Sequence, residues 1–383
     1  MEYRIISADD HVVEAADVFD RVPSRLRDRV PHIERRDGYD YWTLDGKVVG
    51  KITAKAGVHP SEWGHLRVDG SYDSIRPGSY KPVERVKDYQ QDGVDAGVLY
   101  PNFLGFAGDP AYWVKDPEAR LACIQAYNDW LIEDFCGAAP GRLIGLCLVP
   151  SWDVDLAVAE AQRAVKMGHS GVVFGGAMDV FGNPATFDPY WDPLWEAVQD
   201  LNVPICFHQM SAALERPTNK GNPPSTRYWK SELSGIIEAQ VVWHMCTLAP
   251  VVPEVIFCGM LDRFPRLRIF LGEAGVGWIP YVLTMSDYIW ERNRYWAEPK
   301  LKMRPSEYWR RNFASGFWSE PIHPFLLDYL GPDTLLWEGD YPHSITTWPD
   351  SQQHIERSLA GVTDPSVRRS ILAGNAMRLF NLE

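Results

Sequence analysis

The sequence contains no apolar run of 18 residues, no Cys-x-x-Cys pair and no surplus of positive charge. The first absence argues against a membrane-spanning helix. The second argues against a zinc ribbon or a disulfide framework. Cys123, Cys136, Cys147, Cys206, Cys246 and Cys258 are scattered, mostly in apolar runs, and read as free thiols in a reducing cytoplasm. The third, a net charge of −13, argues against a nucleic-acid footprint. The opening Met-Glu-Tyr-Arg carries no signal-peptide pattern, so a cytoplasmic location is expected. A phosphate-cradling glycine loop is also missing, because Gly272-x-x-Gly275-x-Gly277 does not match a dinucleotide fingerprint.

What is present in excess is aromatic: 16 Trp, 17 Tyr and 15 Phe in 383 residues. Most must fill a core, and the surplus suits an apolar substrate pocket. Hydrophobic residues make up 45% of the chain, enough for one large domain over 1–383.

The chain begins with an apolar β-branched run, Tyr3-Arg4-Ile5-Ile6, leading into Ser7-Ala8-Asp9-Asp10-His11. Side chains alternate along a strand, so Asp9 and His11 share a face at its C-terminal end. A carboxylate and an imidazole so placed can share a metal ion. Alone, Asp-x-His is more often an ordinary strand end.

Residues 15–80 read as an inserted lid or rim with a hairpin over 39–49, turned by Asp45-Gly46. His59 and His65 in its second half read as surface residues. From 82 onward, helical patterns alternate with short apolar runs. The helices fall at 82–92, 117–137, 153–167, 190–201, 231–262, 276–293, 305–311, 322–330 and 365–380. The runs end near 101, 150, 174, 208, 273, 315 and 340. With the first strand that makes eight continuous apolar strands, which suit buried parallel pairing. The expected fold is an α/β class (β/α)8 TIM barrel with a long insertion after strand one. A doubly wound sheet is the competitor.

In a barrel, chemistry sits at the C-terminal strand ends. Those ends hold Asp9, His11, His208, Glu273 and Asp340. Three carboxylates converging in an apolar mouth repel one another unless a cation lies among them. His244, with Gln240 one turn before it, sits on an apolar helical stripe. It is either a buried structural histidine or a further ligand. Glu238 falls on the solvated side. His343 stands three residues after Asp340, placed to ligate or to touch substrate.

Asp9-x-His11-x-x-Glu14, His208, Leu271-Gly272-Glu273-x-Gly275-x-Gly277-Trp278-Ile279-Pro280 and Trp337-Glu338-Gly339-Asp340-Tyr341-Pro342-His343 resemble the amidohydrolase superfamily. The branch is the one containing aminocarboxymuconate-semialdehyde decarboxylase and related aromatic-acid decarboxylases. The resemblance implies a metal-dependent barrel with Asp9, His11, His208 and Asp340 as metal ligands, and a homodimer. Two departures stand out. The branch commonly starts with His-x-His or Glu-x-His, where this chain has Asp9. Its strand six usually ends in a catalytic His, where this chain has Glu273.

A carboxylate-rich set resembles what a dinuclear iron centre needs. The chain is therefore also similar to an offshoot of the superfamily, the non-haem diiron monooxygenases of platensimycin and platencin biosynthesis. That resemblance implies an oxidoreductase of antibiotic biosynthesis. It would use two Fe ions, O2 and an electron donor to hydroxylate a bulky apolar substrate such as a diterpenoid acyl-CoA ester. Its metal ligands would be Asp9, His11, His208, His244, Glu273 and Asp340, with Glu273 bridging and His343 beside it. Arg216, Lys220, Arg227 and Lys230 are candidate contacts to CoA phosphates, or a solvated loop. Trp278, Trp318, Trp337, Tyr341 and Trp348 are candidate pocket walls. The alternative is a mononuclear Zn or Mn decarboxylase or hydrolase with Glu273 or His343 as acid and base. A barrel serving only as a binding scaffold is the non-enzymatic reading.

Overall fold

The structure, a computed structural model, describes residues 2–52, 70–106, 109–209, 211, 242, 244–343 and 345–382. Eight parallel strand positions form a (β/α)8 TIM barrel. β1 (Ile6–Val12) pairs with β5 (Ala96–Pro101), and β5 pairs with β6 (Leu143–Gly145). β7 (Cys147–Leu148) continues β6 after Leu146. The Leu146 N–H still bonds the Leu99 carbonyl at 3.4 Å, and the Cys147 N–H already bonds Gly171 at 3.0 Å. β8 (Val172–Val173), β9 (Pro204–His208), β10 (Arg268–Gly272), β11 (Phe313–Phe317) and β12 (Leu335–Trp337) follow in register, each parallel to the last. Between β1 and β12 the ring closes through the residues that follow β12. The Asp340 N–H bonds the Asp9 carbonyl at 3.0 Å, and the His11 N–H bonds the Tyr341 carbonyl at 2.6 Å.

These strands form because their residues are apolar on both faces. β5, β9 and β11 are buried at every position, as expected of strands covered by helices outside and side chains inside. The helices turn their small or apolar faces inward. α1 (Pro82–Asp92), α2 (Pro117–Trp130), α3 (Val154–Met167) and α4 (Asp192–Asp200) lie close to the expected bounds. α3 buries Ala157, Ala161 and Ala164, four and three residues apart, and starts where Asp153 accepts the Leu156 N–H. α2 starts where Asp116 accepts from Glu118 and Ala119.

Between β1 and α1 stands a three-stranded antiparallel sheet of β2 (His32–Arg36), β3 (Tyr39–Leu44) and β4 (Lys47–Lys51). Asp45 and Gly46 join β3 to β4, both at positive φ (51° and 72°), as a primed two-residue turn requires. Trp42 of β3 stacks on Phe103 with ring centres 4.6 Å apart. The antiparallel sheet thus leans on the loop that follows β5. His59 and His65 lie outside the described residues, as do Glu238, Gln240, Arg216, Lys220, Arg227 and Lys230. No described helix is long and apolar enough to cross a membrane.

Candidate metal centre

Asp9, His11 and His208 are fully buried at the C-terminal mouth, with Glu273 and Asp340 beside them. β1 carries a bulge: Ser7 faces Gly97 and Asp10 faces Leu99, so Ala8 and Asp9 together span Val98. Asp9 and His11 still point into the barrel. Glu273 and Asp340 each sit one or a few residues past a strand in the left-handed region, with φ of 48° and 57°. That conformation is unusual for residues other than glycine and collects at functional sites, where the surroundings impose it.

The donor atoms meet closely. His11 Nε2 and His208 Nε2 are 3.2 Å apart. Asp9 Oδ1 is 3.3 Å from His11 Nε2, and Asp9 Oδ2 is 3.3 Å from His208 Nε2. Asp340 Oδ1 is 3.4 Å from His11 Nε2, and Glu273 Oε2 is 3.2 Å from His208 Nε2. The other imidazole nitrogens are occupied: His11 Nδ1 faces the Pro101 carbonyl at 3.3 Å and His208 Nδ1 the Gln209 carbonyl at 2.8 Å. Donation to a carbonyl places each proton on Nδ1 and leaves each Nε2 lone pair free, as in metal-bound histidines. Burial keeps both rings neutral. It holds His11 well below its usual range and brings His208 down to about 3.

Burial pushes the carboxyls the other way. Asp9 is raised well above the carboxylate range by burial, then by repulsion from Glu338, Glu273 and Asp340. Glu273 is raised to about 8 by burial and by Asp340, and Asp340 is raised chiefly by burial. Both Asp9 oxygens and Asp340 Oδ2 are buried without a hydrogen-bond partner. Such orphaned groups cost about 1–3 kcal/mol each unless something satisfies them.

A divalent cation fits this set. Two lone pairs aimed at one point, flanked by unsatisfied carboxylates, need a positive charge between them. Donors about 2.1 Å from one ion lie roughly 3.0–3.4 Å from one another, which the separations above match. His343 joins the group. Its Nδ1 is 2.8 Å from Asp340 Oδ1, its ring lies 3.8 Å from that of His11, and its side chain is 27% exposed. His11, Glu273, Asp340 and His343 form one cluster able to hold an ion, and Asp9, His11 and His208 another, sharing His11.

His244 belongs to neither cluster; it is half-buried, and its carbonyl caps a turn by accepting from the N–H and Oγ1 of Thr247. Trp337, Tyr341 and Trp348 are buried packing residues rather than an open wall, and Trp278 is half-buried with its indole N–H on the Ala274 carbonyl. Three neighbours were not singled out from sequence. Glu338 is fully buried, with Oε1 unpartnered and Oε2 receiving the Glu273 N–H at 3.3 Å. Tyr100 is fully buried with an unpartnered hydroxyl. Phe106 stacks on His208 at 3.7 Å. The alternation that pairs Asp9 with His11 also pairs Glu338 with Asp340, and was the available signal. Nothing in the sequence marks Phe106, a loop residue.

A parallel barrel with a buried histidine and carboxylate cluster at its mouth places a candidate metal centre at the end of the fold where barrel enzymes carry their chemistry. A family model described as amidohydrolase matches residues 59–382, and the chain belongs to that family. It is 25% identical over 324 residues to a gamma-resorcylate decarboxylase of Rhizobium radiobacter, covering 80% of this chain and 92% of the relative. An amidohydrolase from Mycobacterium avium subsp. paratuberculosis superposes with a TM-score of 0.76 at 21% identity, covering 100% of this chain and 99% of that one. A dihydroxybenzoic acid decarboxylase from Polaromonas sp. JS666, solved with bound manganese and 2-nitroresorcinol, gives a TM-score of 0.64 at 21% identity, covering 100% and 98%.

These relatives overturn the diiron monooxygenase reading. The gamma-resorcylate and dihydroxybenzoic acid decarboxylases among them are lyases, not oxidoreductases. Two iron ions, O2, an electron donor, an acyl-CoA substrate and a place in antibiotic biosynthesis have no support among them. The physical reason is visible at Glu273. A third carboxylate suggested a bridge between two irons, but its oxygen, 3.2 Å from His208 Nε2, adds a hard donor that suits manganese equally well, the metal bound by the Polaromonas relative.

Proposed function

We propose that this chain is a metal-dependent, non-oxidative decarboxylase of aromatic, hydroxybenzoate-type acids, using one divalent ion, manganese or zinc. The convergence of His11 Nε2, His208 Nε2 and the Asp9 carboxylate, with edges of 3.2–3.3 Å, carries this reading. Asp9, His11, His208 and Asp340 would hold the ion, with Glu273 as a further anionic donor. When bound, the ion supplies a Lewis acid that holds and polarises the substrate oxygens. Manganese in the Polaromonas enzyme and the hydroxybenzoate-type activities of the relatives support the choice of metal and substrate class.

Decarboxylation breaks the ring–carboxylate bond, leaves its electron pair on the ring carbon and releases CO2. That carbon must then take a proton. His343 is the chain's proton carrier: its Nδ1–H is anchored on Asp340 Oδ1 at 2.8 Å, which leaves the Nε2 lone pair to take a proton from water or from the substrate's acidic hydroxyl and pass it on to the ring carbon. It takes over the role of the imidazole that this branch places on strand six, where the chain has Glu273. Phe106, flat against His208, gives the mouth an aromatic wall suited to a planar ring.

The test is direct. Protein loaded with Mn2+ is incubated with gamma-resorcylate, 5-carboxyvanillate and other hydroxybenzoates while CO2 release and O2 uptake are followed. Metal-dependent CO2 release with no O2 uptake is expected. Oxygen consumption, or no turnover of any hydroxybenzoate by a stoichiometrically loaded protein, would overturn the assignment.

A further inference from the structure

On the reverse side of β1, away from the mouth, the Asp10 side chain is held by three groups from three parts of the chain. Oδ1 accepts from Ser7 Oγ at 2.9 Å and from the Tyr341 N–H at 2.9 Å. Oδ2 accepts from Tyr89 Oη at 2.5 Å. Arg85, fully buried, donates to Tyr89 Oη at 3.3 Å and to the His11 carbonyl at 2.6 Å, and lies 4.3 Å over the Tyr341 ring. Tyr341 Oη donates to Asp88 Oδ2 at 2.6 Å, and Ser7 Oγ also receives the Gly339 N–H at 2.8 Å. The bulge in β1 makes this possible. Three residues apart, Ser7 and Asp10 would face opposite ways on a regular strand.

The backbone has made room for the arrangement. A Cβ on Gly97 would strike Tyr89 Oη and Asp10 Oδ2, and one on Gly78 would strike Asp88 Oδ2 and Tyr341 Oη. The groups gripped lie beside the donors of the mouth. Tyr341 follows Asp340, whose φ is 57°, and Gly339 precedes it; the His11 backbone is held by Arg85 through its carbonyl and by Tyr341 through its N–H.

We infer that Asp10 is a positioning residue for the metal centre: its carboxylate clamps the Tyr341 backbone to β1 from behind the barrel wall and so fixes Asp340 and His11 at ligating distance. The inference rests on the metal reading given above. It assigns Asp10 no contact with metal or substrate. Groups that orient ligands typically account for 10–100-fold in metal affinity. The geometry of the grip matters here, because two of its acceptor bonds meet at one oxygen.

Two variants separate geometry from charge. Asp10→Asn keeps an acceptor oxygen for Ser7 and Tyr341 and loses the charge. Asp10→Glu keeps the charge and moves the oxygens by one methylene. Mn2+ binding to chelator-stripped protein is measured by calorimetry, beside the circular dichroism spectrum and melting temperature of the same metal-free samples. Asp10→Asn is expected to stay within threefold of the parent in Mn2+ affinity, and Asp10→Glu to lose 10–100-fold while keeping a folded spectrum. Equal affinities in Asp10→Glu and the parent, or loss in Asp10→Asn alone, would overturn the clamp and leave the metal site standing. A parent protein that binds no Mn2+ would overturn both.

Discussion

His11 Nε2 and His208 Nε2 stand 3.2 Å apart although 197 positions separate them in the chain. Both rings are neutral and both Nδ1 atoms are turned to carbonyls, so two lone pairs face each other in a buried place. The contact is repulsive without a cation. His208→Ala should therefore raise the melting temperature of the metal-free protein or leave it unchanged, while abolishing stoichiometric Mn2+ binding. Calorimetric scans with and without Mn2+ check both halves.

Metal binding should release protons and tighten with pH. Glu273 titrates near 8 without metal because burial, then Asp340, disfavours its charge. A cation needs the ionised form. Mn2+ affinity is expected to rise from pH 6 through pH 8 and to level off only about a unit higher, read by titrations in buffers of different ionisation enthalpy.

The stability of the metal-free protein should run the opposite way. Above about pH 7.5, roughly a unit past their usual value of 6.5, the lowered histidines are neutral in both states. Glu273, raised to about 8, and Asp92, raised to about 7 by burial, still hold protons in the folded state that the unfolded chain has lost. With more protons bound in the folded state, stability falls as pH rises. The melting temperature is expected to drop from about pH 7.5 to 8.5 without metal, and to lose that slope with saturating Mn2+.

His343→Asn should leave the ion in place and slow turnover. Removing a general acid typically costs about 10²–10⁴-fold in rate. The expected pattern is a lower kcat with Mn2+ stoichiometry unchanged. Glu273→His, which restores an imidazole to strand six in the same background, should recover part of that rate. A double variant no faster than His343→Asn would sink the idea that His343 replaces the strand-six histidine.

Glu14 is fully buried, and its carboxylate accepts the N–H groups of Asn102, Phe103 and Leu104 at 2.8–3.3 Å. These bonds hold the loop that carries Phe106 against His208. Glu14→Ala should destabilise the fold by about 3 kcal/mol, since each hydrogen bond to a charged group contributes roughly 1.5–3 kcal/mol and some re-form with water. Denaturant titration measures the loss.

The barrel was legible because its strands are unbroken apolar runs separated by helical patterns, such as the one that puts Ala157, Ala161 and Ala164 on one face. Asp9, His11, His208, Glu273 and Asp340 were legible as strand-end polar residues. The number and kind of metal were not, since composition gives donors but not where they converge. Glu273 misled for that reason: an extra carboxylate looks the same in sequence whether it bridges two ions or crowds one. Asp10 was passed over beside Asp9 because strict alternation sends it outward. The bulge that gives it a task has no local sequence mark.

The ring of strands has its join between β1 and β12, and the join is made by Asp9, His11, Asp340 and Tyr341 themselves. The first and the last strands of the barrel must both be in place before the centre exists. An ion there would act as a rivet across the seam, so occupancy should be readable far from any chemistry. Amides at 339–343 would exchange with solvent deuterium more slowly when loaded, while those of β8, on the opposite wall and carrying no ligand, would not.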